Sequence, residues 1–166
     1  IEVTFEKHHQ NKILNALFTN HLYEEVAYEI YKTENAHQNI GLGMIGELET
    51  PIKPKAFLQF VKDKMECGGI RHSQFLNTEI KKVAVLGGSG SFAIKNAISA
   101  GADAFLTADL KYHQFYEAEN KLLLADIGHF ESERYTKNYI VDFLKEKITN
   151  FAIILSELNT NPVKYF

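Results

Sequence analysis

The period of the apolar positions changes along the chain, and each period assigns an element. Residues 1–8 (IEVTFEKH) and 24–33 (EEVAYEIYKT) alternate with period two, the pattern of half-buried strands. Between them QNKILNALFTNH carries Ile13, Leu14, Leu17 and Phe18 at helical spacing. A turn-rich stretch, NAHQNIGLG, comes next. MIGELETPIKPKAFLQFVKDKME then predicts a short strand, a proline-marked break and a helix.

From Thr78 onward whole elements alternate. KKVAVLG, ADAFLTAD, LLLADIG and FAIILSEL are short apolar runs suited to strands covered on both faces, while SFAIKNAISA, YHQFYEAENK and ESERYTKNYIVDFLKEKI read as the helices between and after them. The last helix, over about 131–148, places Ile140, Phe143, Leu144 and Ile148 on one stripe, with Lys145 and Lys147 near its negative end. The fold class expected is α/β: a largely parallel sheet flanked by helices over residues 41–166, preceded by a ferredoxin-like βαβ half over residues 1–40.

Composition narrows the setting. A chain of 166 residues, 45% hydrophobic and 23% charged, is globular and holds one domain or a little more. A net charge of -3 provides no field for nucleic acid or anionic lipid, and no local basic patch replaces it. Neither nucleic acid nor a membrane is expected as a partner, and no apolar run approaches the roughly 20 residues that span a bilayer. Cys67 is the one cysteine, which leaves no internal disulfide, fits a reducing cytoplasm, and suggests a buried, idle thiol. The chain opens without Met and directly in a strand pattern, which points to a piece of a longer protein.

In an open α/β sheet, ligands gather beyond the carboxyl ends of the strands. Three loops there carry polar groups. Gly88, Ser89, Gly90 and Ser91 follow KKVAVLG; free N–H groups in such a loop can cradle an anion, and the same residues also make tight turns for steric reasons. Asp109 and His113 follow the next strand. Asp109 is either a helix cap or a site carboxylate, and His113 a ligand, a proton carrier or a surface group. The third loop gives Asp126, His129 and Glu133. Residues 129 and 133 are four apart, hence on one helical face, and imidazole with carboxylate suits Zn, Mn or Fe. Glu131 falls off that face and belongs to the first turn of the helix. The adjacent His8 and His9, at the end of a strand, are expected to point in opposite directions into solvent, and His21 to serve a turn.

The ordered set GGSGS, then T-x-D-x-KYH, then D-x-GH-x-x-x-E resembles the C-terminal lobe of the GTP cyclohydrolase I type 2 homologue family, the dinuclear-metal-centre, hexamer-forming proteins. The resemblance covers about residues 41–166, including the closing SELNTNPVKYF. HLYEEVAYEIY resembles the second half of a PII- or CutA-like insert that some members carry. Ala108 stands where the family often has glycine. The resemblance implies two divalent ions per full-length subunit, His129 and Glu133 as this lobe's ligands, and the remaining ligands on an N-terminal lobe that this chain does not contain. It also implies a homo-oligomeric ring, a nucleotide or phosphate-bearing small molecule bound at the Gly88–Ser91 loop, and Asp109 and His113 beside the chemistry.

Overall fold

The computed structural model describes residues 1–35 and 40–165, and the chain divides into two compact units, residues 1–38 and 39–166. The turn-rich stretch NAHQNIGLG falls partly outside the described residues.

The first unit is built on one helix, α1 (Gln10–Asn20), entered through a 3-10 turn at Lys7–His9. Of the apolar stripe read from the sequence, Ile13, Leu14 and Leu17 are half-buried and Phe18 is exposed. The two flanking strands are not formed among the described residues. Period-two alternation selects a face to bury but supplies no backbone partner, and neither segment finds one. The turn also corrects the expectation for His8 and His9. In place of a strand end that would send them apart, it sets the two rings side by side with centroids 3.9 Å apart. His21 serves a turn, its Nδ1 accepting the Tyr23 N–H at 3.1 Å.

The second unit is a five-stranded sheet of order β1-β3-β4-β5-β2. The strands are β1 (Met44–Ile52), β2 (Arg71–His72), β3 (Ile80–Ser89), β4 (Ala104–Ala108) and β5 (Leu123–Asp126); the helices are α2 (Pro54–Met65), α3 (Ile94–Ser99), α4 (His129–Glu133) and α5 (Thr136–Lys147). The three central strands are parallel and both edge strands antiparallel. β4 and β5 are buried throughout, and strict alternation divides them between two layers. Leu106, Leu123 and Ala125 pack with Phe57, Leu58 and Val61 of α2, whereas Phe105 and Leu124 pack with Ile94, Ala97 and Ala118 on the opposite face. Covering both faces is what makes these strands read as continuous apolar runs.

Three elements differ from expectation. YHQFYEAENK winds as a 3-10 helix over Tyr112–Ala118 and stops at Glu119, whose left-handed backbone ends it. FAIILSEL forms no strand, because the outer edge of β5 is already taken: Arg71 and His72 pair with Asp126 and Ala125, and Ser73 exchanges two hydrogen bonds with the backbone of Leu124. The long final helix is two, α4 and α5. Its break falls at Arg134 and Tyr135, which reach across to Glu66 and to the Lys64 carbonyl. Ile140 and Phe143 of α5, and Ile148 just beyond its end, are about half exposed. No helix among the described residues is long and apolar enough to cross a membrane.

Candidate functional site

The carboxyl ends of β3, β4 and β5 converge as their parallel register requires, with Ser89 opposite Ala108 and Thr107 opposite Asp126. Asp109 follows β4 in a left-handed conformation, φ 57°, costly for a residue with a Cβ and frequent at sites where geometry matters more than local stability. It caps no helix. Its Oδ2 accepts a hydrogen bond from the Ser89 hydroxyl and lies 2.6 Å from Nδ1 of His129. On the other side of the ring, Nε2 of His129 is 3.3 Å from Oε2 of Glu133, one helical turn along. Asp109 from the loop after β4 and His129 and Glu133 from α4 thus form one chain: carboxylate, imidazole, carboxylate.

The charges are mutually supportive. Asp109 is held below its ordinary range, first by the Ser89 hydroxyl and then by His129. His129 is raised above the usual imidazole value by its bond to Asp109, with desolvation opposing. Both side chains are about half exposed, so each remains accessible to a ligand.

Gly88, buried at φ 66°, explains why glycine stands here. A Cβ on it would lie 2.5 Å from Oε1 of Glu133 and 3.2 Å from Cε1 of His129. Its N–H donates to the Ser132 hydroxyl at 2.8 Å and its carbonyl accepts from Thr107 at 3.0 Å. That amide is thereby committed to holding α4 against β3 rather than turned toward a ligand. Gly90 is equally tight, pressed against Thr107. His113 is exposed, its ring edge on Tyr112, and does not line the cleft that holds His129.

That cleft has a volume of about 610 Å³. Asp109, His129 and Glu133 line it, together with residues that carry no sequence signal, among them Arg71, Asn161 and Tyr165. Arg71 pairs with the buried Asp126 and donates to the Leu110 carbonyl at 2.6 Å. Asp126 also accepts from the N–H groups of Leu110 and Gly128, at 3.0 and 3.1 Å. Glu131 is buried in the first turn of α4, where Asn161 donates to it at 3.0 Å. Arg71 lies on a two-residue strand, too short for any periodic signal, and Asn161 and Tyr165 belong to an irregular tail. Only the spatial arrangement reveals them. Cys67 is buried as expected, and burial pushes its thiol up to about 11.

The donors fit a divalent ion. The 3.3 Å between Nε2 and Oε2 matches the edge of about 3.3–3.4 Å in a tetrahedron with bonds of about 2.0–2.1 Å. Fixing the second ring nitrogen by a carboxylate, as Asp109 does here, is the usual way proteins set the tautomer of a ligating histidine.

Comparison with known proteins gives the family of the chain. The model of the Duf34/NIF3 (NGG1p interacting factor 3) family matches residues 5–162. A GTP cyclohydrolase 1 type 2 homolog of Bacillus subtilis is 36% identical over 170 residues, covering 99% of this chain and 45% of the relative. Among solved structures, a Bacillus cereus protein related to NIF3 superposes with TM-score 0.73 at 32% identity, covering 98% of this chain and 46% of the other. The Staphylococcus aureus protein SA1388 gives TM-score 0.80 at 25% identity, covering 100% and 55%. The chain spans about half the length of the curated relatives it matches. A match over nearly the whole chain, with fold and sequence in agreement, places it in the Duf34/NIF3 family, among the GTP cyclohydrolase 1 type 2 homologues.

Proposed function

We propose that the cleft is half of a divalent-metal site, completed in the full-length protein by a second lobe, and that the whole is a metal-dependent hydrolase acting on a nucleotide or other phosphate-bearing compound. The observation that carries this reading is the Asp109–His129–Glu133 chain, with its 2.6 Å orienting bond and its 3.3 Å donor pair. His129 and Glu133 would hold Zn, Mn or Fe; such an ion acidifies a bound water toward a pKa of about 7 and polarises an electrophile. Asp109 fixes the imidazole, Ser89 fixes Asp109, and Ser132 holds the amide of Gly88 so that the cradle stays narrow. Two protein donors leave a shell largely open, which is why the remaining ligands are assigned to the other lobe and why this chain alone should hold metal weakly. The same proposal assigns residues 1–40 to part of a PII- or CutA-like insert, in a homo-oligomeric ring located in the cytoplasm.

The competing reading is a metal- or effector-binding regulatory scaffold without turnover. The place of His113 outside the cleft favours it, since the expected proton carrier does not reach the cluster. Elemental analysis of the two-lobed parent tests the site: His129→Ala should lose most bound metal and Glu133→Gln somewhat less. Unchanged content in both variants refutes the assignment. A screen of phosphoesters and cyclic amides with the Mn-, Zn- or Fe-loaded parent separates the two readings, and absence of turnover leaves the scaffold.

A further inference from the structure

We propose that Glu6, His8 and His9 form a second, independent metal site in the first unit, taking a divalent ion of borderline softness such as Zn2+. The backbone assembles it. The His9 N–H donates to the Glu6 carbonyl at 2.8 Å, closing the Lys7–His9 turn so that residues three apart stand together, and α1 continues from Gln10 without interruption. Within that turn the two imidazole centroids are 3.9 Å apart and Nδ1 of His8 is 3.3 Å from Oε2 of Glu6. One donor atom from each residue lies within 4.8 Å of the other two.

A tetrahedral ion needs those separations to be about 3.3–3.4 Å. The His8–Glu6 pair already meets that distance. All three side chains are exposed, so the remaining closure by side-chain rotation moves no core residue and disturbs only the contact between the two rings themselves. Two imidazoles and one carboxylate select Zn2+, Ni2+ or Cu2+ over Mg2+ and Ca2+, which prefer all-oxygen shells. Three protein donors leave a fourth position to water or to a ligand supplied by another molecule. The site shares no residue with the cleft at His129, and its existence is independent of the function proposed for that cleft.

Titration of the tag-free chain with Zn2+ against a chromophoric chelator, at neutral pH, tests the idea. Wild-type and His129→Ala chains should both take up one ion that the His8→Ala/His9→Ala double variant does not. Glu6→Gln should weaken that ion by on the order of tenfold or more, since even outer-sphere partners of metal sites are worth that much. Imidazole resonances of His8 and His9 in wild-type protein should shift on adding one equivalent. Equal stoichiometry and affinity in wild type and double variant, loss of all Zn2+ on His129→Ala, or unmoved His8 and His9 resonances would each overturn the site.

Discussion

Replacing Gly88 by alanine tests whether the cradle beneath His129 and Glu133 is built by glycine or merely contains one. Two costs follow from the structure. The first is conformational: φ 66° is left-handed, and a Cβ in that region costs about 1–2 kcal/mol. The second is steric and local. The new Cβ would stand 2.5 Å from Oε1 of Glu133, where ordinary contact begins at 3.4 Å, so the carboxylate must retreat by about 0.9 Å, a displacement of the same group whose Oε2 faces Nε2 of His129. Gly101 provides the control, because its φ is 70° and a Cβ there meets nothing within 4 Å. Gly101→Ala should carry only the conformational cost.

Thermal unfolding should therefore fall for both variants by roughly 2–8 °C, taking about 2–4 °C per kcal/mol for a chain of this size. Only Gly88→Ala should also move the His129 imidazole resonances and lower metal content in the full-length parent. If both variants melt like wild type, the left-handed argument is wrong. Should Gly88→Ala leave His129 as undisturbed as Gly101→Ala does, the glycine is not what shapes the cradle.

Three other outcomes are expected. Asp109 is lowered and His129 raised by their contact; the acid's contribution is present above its unfolded value and lost in acid, and the histidine's is present below its unfolded value and lost as pH rises past the folded one. Asp109→Asn should thus cost most between about pH 4 and 6.5, by less than about 1 kcal/mol given the exposure of both groups, and stability curves that differ equally at all pH values would contradict this. Arg71→Gln strips a buried carboxylate of its cation, but Asp126 keeps two backbone donors and Arg71 is itself mostly exposed. A loss of about 1–3 kcal/mol in urea unfolding is expected, below the 3–5 of a fully buried pair, against under 0.5 for Lys121→Gln at an exposed pair. Cys67, buried with its thiol at about 11, should react with a disulfide reagent at neutral pH only as fast as the protein unfolds, and rapid modification of the folded chain would show the thiol to be open.

What the sequence could reveal depended on whether the determining force was local. The apolar runs that became β3, β4 and β5 were legible because burial on both faces leaves its mark on every residue of the run. His129 and Glu133 were legible because helical spacing is a local rule. Edges were not. FAIILSEL has a strand's composition, yet the edge of β5 belongs to Arg71 and His72, two residues with no pattern of their own. Nothing in either segment says which will win that edge. The flanks of α1 failed for the same reason, since alternation names a face and leaves the hydrogen-bonding partner unspecified.

The same division separates the two clusters of donors. Asp109 joins His129 only because parallel register sets the end of β4 beside the end of β5, so that contact depends on the whole sheet and weakens with any change that shifts it. Glu6, His8 and His9 are held by local bonds within one turn, His9 N–H to the Glu6 carbonyl and Gln10 N–H to the Lys7 carbonyl, so their geometry should survive wherever α1 does. Partial unfolding with denaturant would then release the two sites at different concentrations. The imidazole of His129 should lose its distinct environment together with the sheet, and those of His8 and His9 together with the helix. A single shared transition for all three rings would mean that the two units unfold as one, and that the turn is no more autonomous than the cleft.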